Sequence, residues 1–223
     1  MTTERERILE LVSSGKLSPA DADRLLRQAA GESRRSLLAW LFDPIDRLGT
    51  RRALLVGLIA VALGAALSRF GVRFDGALDS HVGRGPAMPL FAVADAVIAW
   101  PLTALVLWLA SLGFARQGRY VDHLAAVGLS RVPALGTGLL LVLSTAWPTP
   151  ELVPGKIPEV NPIWLAVILA SVPFLIWQVV LLYRGFRTAS GLRGVRCAIA
   201  AVLGIFAAEL LSQAALAALS RFI

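Results

Sequence analysis

The sequence predicts an all-α polytopic membrane protein: a helical bundle of five spans with a small cytosolic helical hairpin ahead of it. Three observations carry this. The 223 residues are 57% hydrophobic and only 17% charged, with a mean hydropathy of +0.69, whereas soluble domains are about one-quarter charged. The apolar residues gather into five segments of spanning character, the first of them short, with flanking arginines that can snorkel to the surfaces. The basic residues stand at alternate ends of those segments.

The net charge of +7 does not point to nucleic acid, because the basic residues flank apolar spans and form no compact basic domain. They read as topology signals and as contacts for anionic lipid on the cytosolic side. The single cysteine, Cys197, excludes an internal disulfide, and two distant histidines give no zinc spacing. No metal and no cofactor is expected. Residues 1–50 are too long and too charged to read as a signal peptide.

Residues 1–30 form the predicted cytosolic hairpin. Ile8, Leu9, Leu11 and Val12 share one face of a first helix, and Leu25, Leu26 and Ala29 one face of a second. Gly15-Lys16 breaks the two. Ser18-Pro19 then offers an N-cap and a proline at the first helical position. So short a hairpin gains from self-association or from docking on a partner. Residues 31–52 are a linker and an interfacial amphipathic segment. There Leu37, Leu38, Trp40, Leu41 and Phe42 stand between arginine pairs, and Pro44 ends or kinks the run.

Residues 53–223 hold the five spans. The first lies between Arg52 and Arg69, with Ala60 and Gly64 spaced for close helix approach. A polar loop, Gly71 to Ala87, carries Asp75, Asp79, His81 and Arg84. The second span lies within Met88 to Ala115, and the third runs from near Leu124 to near Trp147. A proline-rich loop from Pro148 to Asn161 follows. The fourth span is Pro162 to Tyr183, and the fifth is about Val195 to Leu219. Pro101, Pro133 and Pro173 interrupt three spans, as kinks or as openings of the backbone. Lysine and arginine divide 17 against 5 between the two sides, with Arg116, Arg119 and Arg131 counted on the richer one. This predicts an N-terminus in the cytoplasm and a C-terminus outside.

The entry to the third span reads Gly118-Arg119-Tyr120, then Ala125-Ala126-Val127-Gly128-Leu129, then Arg131-Val132-Pro133. A tyrosine-bearing polar entry followed by a small-residue helix with a proline resembles the Yip family of Rab-interacting membrane proteins. The resemblance runs from about Phe42 to Phe222. It implies the five-span fold and a role in membrane organisation or partner recruitment. The chain lacks the long acidic and aromatic N-terminal region of the eukaryotic members, so GTPase binding does not carry over. Its arginine- and alanine-rich usage suits a bacterial cytoplasmic membrane. The stretch ERILELVSSGKLSPADADRLLRQA resembles short bihelical modules regarded as oligomerisation or docking pieces.

Two groups of residues are candidate sites. Glu209, with Gln213 one turn on, lies deep in the fifth span, and Asp95 lies in the second. A carboxylate at that depth faces protein or water. The acids line one polar cavity and share a proton or cation, or else each makes a hydrogen-bonded helix contact. Tyr120, Asp122, His123 and Arg131 form a cytosolic mouth, which either binds a lipid headgroup or partner or anchors the span. Asp75, Asp79 and His81 could hold a divalent cation between them, but their spacing is not diagnostic and an ordinary solvated loop is the expectation. Ser130 and Ser144 have no histidine placed as a base, and no glycine-rich phosphate loop is present. The expected function is therefore that of a non-enzymatic scaffold or adaptor. The alternative is a small transporter or lipid-handling protein that uses the intramembrane acids.

Overall fold

The structure, a computed structural model, describes residues 4–14, 22, 41–42, 44–83, 89–114, 118–145 and 161–219. The chain divides into two compact units, Met1–Pro44 and Ile45–Ile223. In the first, α1 spans Glu4–Ser13. Ile8 is buried while Leu11 and the acidic positions Glu6 and Glu10 are exposed, so the apolar face is narrow. The second arm of the predicted hairpin lies outside the described residues apart from Ala22, and the interfacial segment apart from Leu41, Phe42 and the residues from Pro44 onward.

The second unit holds five helices: α2 (Ile45–Leu67), α3 (Pro89–Leu112), α4 (Tyr120–Ser144), α5 (Pro162–Ser190) and α6 (Gly194–Leu219). Each is long and apolar enough to cross a membrane. The first begins earlier than its sequence suggests, at Ile45. It breaks at Gly49, whose φ of 67° only glycine adopts without strain. The third begins at Tyr120, four residues before Leu124, because Asp122 in its first turn complements the positive end of the helix dipole. The fourth starts as expected, with the Asn161 side chain accepting from the Ile163 N–H at 2.9 Å and proline at the first position. It runs on past Tyr183 to Ser190, where Arg187 stands in the last turn and Gly191 closes it in the left-handed region.

Of the five, α4 is the organising helix: 56% of its apolar window is buried inside the protein, against 17–31% for the others. It packs on α2, α3 and α5, while α6 packs mainly on α3. The α2–α4 crossing is backbone on backbone. A Cβ on Gly57 would stand 2.6 Å from Gly128 Cα. The close approach therefore falls at Gly57 and Gly128. Gly64, expected to make it, faces the Phe74 ring.

One face of the bundle carries Arg119, Arg184, Arg187, Arg193 and Arg196 at the α3–α4 and α5–α6 connections, and we call it the basic face. Just inside it, Leu107, Val127, Leu182, Phe186, Cys197 and Ala201 make one apolar core shared by α3, α4, α5 and α6. The opposite face carries the α2–α3 connection. There β1 (Val72–Arg73) pairs antiparallel with β2 (His81–Val82), Val72 opposite Val82 and Arg73 opposite His81. This small ribbon is the only strand pairing among the described residues. The sequence reads Gly71 to Ala87 as a polar surface loop, but Phe74, Gly76 and Ala77 are buried. The loop tip is re-entrant. It bonds to Arg131, eleven residues into α4 and so roughly 16 Å along that helix. Non-helical backbone at such depth is stable only when protein satisfies its polar groups.

Candidate functional site

Side chains from three helices provide that satisfaction. The Arg131 Nη2 group of α4 donates to the Gly76 carbonyl at 2.8 Å, and the Gln178 Nε2 group of α5 donates to the Ala77 carbonyl at 3.1 Å. From α6, the Glu209 carboxylate accepts from the backbone N–H groups of Ala77 at 2.7 Å and Leu78 at 3.1 Å. Gln213 donates to the other Glu209 oxygen at 2.9 Å and so fixes the carboxylate. A Cβ on Gly76 would run into the Glu209 carboxylate and would have to push it off the loop amides. At the loop base, Arg73 Nε and Nη2 donate to the two Asp95 oxygens at 2.8 and 2.7 Å. This is a bidentate pair with Asp95 buried on α3.

Asp95 and Glu209 thus grip different parts of one loop, and Gln213 joins Glu209. The cavity that Asp95 lines is shared instead with Arg131, Ser68, Phe74 and Trp100, and its volume is about 20 Å³. That is room for about one water. Arg131 parts from the mouth in which its sequence places it. Its side chain is buried and reaches the re-entrant tip, because a guanidinium in mid-span needs carbonyl partners and the tip offers them.

The other mouth residues stay near the basic face. Asp122 accepts from Arg119 at 2.9 and 3.0 Å and from the Thr50 hydroxyl at 2.7 Å, which ties the start of α2 to the start of α4. Tyr120 donates to the Pro101 carbonyl at 3.1 Å and meets Trp108 edge-on. His123 is fully buried against Phe186, with Nδ1 3.1 Å from the Arg119 carbonyl. It is a packed core residue and presents nothing at the surface. Trp100 and Trp108 donate to the carbonyls of Leu124 and Gly118 at 2.8 and 2.9 Å. Trp147 lies outside the described residues.

Gln178, Arg73 and Thr50 were not among the sequence candidates. Gln178 had a usable signal: it is the one polar amide in the run PIWLAVILASVPFLIWQVVLLY, and the rule that singles out Glu209 applies to it equally. Arg73 and Thr50 lie at span edges, where such residues are ordinary.

Above the tip, His81 Nδ1 lies 3.2 Å from Asp79 and 3.5 Å from Asp75. The hydrogen bond to Asp79 raises the His81 pKa above its usual 6.5 and lowers that of Asp79, while burial raises that of Asp75. A raised histidine stabilises the fold below its unfolded pKa, and that contribution is lost as pH rises through the folded value. Asp79 works the other way and loses its contribution only in acid. Exchange protection of the Gly83 amide, which bonds to the Gly71 carbonyl at 2.7 Å, is therefore expected to fall as pH climbs through the raised His81 pKa. The His81→Gln variant should flatten that profile.

Five apolar helices around a satisfied re-entrant loop define a polytopic integral membrane protein. Its chain matches the Yip1 domain family over residues 41–217, and belongs to that family. Residues 3–34 match a SHOCT-like domain. No curated protein and no solved structure matches the chain.

Proposed function

We propose that this protein is a non-enzymatic membrane scaffold or adaptor, which presents its N-terminal module to partners or to further copies of itself. The observation that supports this reading is the use of the intramembrane polar groups. Arg131, Gln178, Glu209 and Asp95 all hold the re-entrant loop. The cavity shared by Asp95 and Arg131 takes about one water. A fixed platform has that character; a substrate path would leave such groups free to change partners.

The orientation belongs to the same proposal. Arg131 leaves the topology count, since it reaches Gly76, and the bias then stands at 16 against 5. The basic face accordingly lies on the cytosolic side, against anionic lipid, of a bacterial cytoplasmic membrane.

The test compares the full chain with a form lacking residues 1–30, both purified in mild detergent. Removal is expected to abolish self-association, read as mass by light scattering, and to leave the membrane unit folded. Glu209→Gln separates the transporter alternative, because glutamine keeps an acceptor for the loop but cannot exchange a proton. Tracer flux in proteoliposomes that Glu209→Gln abolishes would overturn the scaffold reading.

A further inference from the structure

The hairpin face carries a cleft of two chemically different halves. On the α6 side of the loop a cavity of about 370 Å³ is lined by Arg73, Asp75, Asp79, His81 and Gln213. On the α4–α5 side a crevice of about 300 Å³ is lined by Leu141, Ile168, Val172 and Leu175, with Gln178 at its deep end. The two share Asp79, so Leu78–Ser80 is the rib between a charged cup and an apolar slot. The slot opens sideways along α5, where Ile168, Val172 and Leu175 are exposed on a helix that crosses the membrane. The volumes are those of small-molecule sites, and the pairing of an apolar slot with a polar end is the shape of an amphiphile.

We propose that this cleft holds one phospholipid with a primary-amine headgroup, drawn from the leaflet on the hairpin face. Its acyl chain lies in the slot against Leu141, Val172 and Leu175, and its head reaches the cup. Charge selects the head. Asp75 and Asp79 offer carboxylates to an ammonium group, and only one oxygen of each is turned to His81, Asp75 Oδ1 at 3.5 Å and Asp79 Oδ2 at 3.2 Å. Arg73 brings positive charge for the phosphate. Asp95, paired with Arg73, keeps the cup from being cationic overall, which disfavours a purely anionic head. Choline is disfavoured too. A quaternary ammonium cannot donate to a carboxylate and is held by aromatic faces, and no aromatic side chain among the described residues lines the cup.

The experiment is native mass spectrometry of the full chain against an equimolar mixture of ethanolamine, choline and glycerol phospholipids with matched acyl chains. Wild type is expected to retain one ethanolamine lipid about tenfold over either competitor, the worth of one charge-assisted hydrogen bond. Asp79→Asn should remove the headgroup preference and keep lipid retention. Leu175→Trp, which fills the slot, should remove retention. Equal retention of the three lipids by wild type, or preference for the glycerol lipid, overturns the proposal. That comparison needs no variant, so a misfolded mutant cannot protect it.

Discussion

Replacing Glu209 by alanine is expected to destabilise the membrane unit by about 3 kcal/mol, because two part-buried backbone donors would lose the acceptor they have among the described residues. The affected groups are the N–H groups of Ala77 and Leu78, bonded to Glu209 at 2.7 and 3.1 Å. The Gly76 and Ala77 carbonyls would still be held by Arg131 and Gln178, so the loop would loosen on its α6 side first. Direct packing between α5 and α6 is sparse, and nearer the hairpin face the loop tip bridges α6 to α4 and α5. Losing that bridge should splay α6 there and leave the apolar core near the basic face intact. Unfolding in a graded detergent mixture reads the stability. Cysteine labelling of Leu216→Cys, buried on α6, reads the splaying. Glu209→Gln should cost about 1 kcal/mol, since an amide oxygen replaces part of the carboxylate's acceptor capacity. An alanine variant as stable as wild type would refute the bridging role.

The second large effect is expected at the α2–α4 crossing, where Gly57→Ala and Gly64→Ala should behave oppositely. A methyl on Gly57 would stand 2.6 Å from Gly128 Cα and 2.9 Å from its carbonyl carbon, both backbone atoms that cannot swing aside. The helices must part, at a cost of about 3 kcal/mol in a well-packed interior. A methyl on Gly64 would meet the Phe74 ring at 3.5 Å, an ordinary contact, and should leave the fold as stable as wild type or more stable by up to about 1 kcal/mol. The residues are two helical turns apart, so helix propensity raises both variants alike, and only the crossing separates them. Equal stability of the two in the same detergent titration would place the contact elsewhere.

The resemblance read from the third span was well founded, for the Yip1 domain match covers residues 41–217. The reason lies in packing. The run Ala125 to Ser130 is almost wholly buried, so small residues there are demanded by neighbouring helices. Lipid-facing positions carry little such constraint. The intramembrane acids also stood out, since a carboxylate in an apolar run is costly wherever it points. Their partners could not be read. Glu209 bonds to backbone 131 and 132 residues away, Arg131 to a carbonyl 55 residues away, and Arg73 to an acid 22 residues away.

By itself, then, the sequence determined that the chain crosses a membrane five times, roughly where, and with which side rich in arginine. Those properties depend on local hydropathy and charge, which each segment carries alone. Tertiary structure alone decided that the stretch after Gly71 turns back into the bundle, and that Arg131 serves it instead of the basic face. Composition marks that stretch as polar, and polar sequence ordinarily stays in water. It can enter the membrane here because three helices supply complementary groups at one depth, and helix register brings those groups together only in the folded bundle.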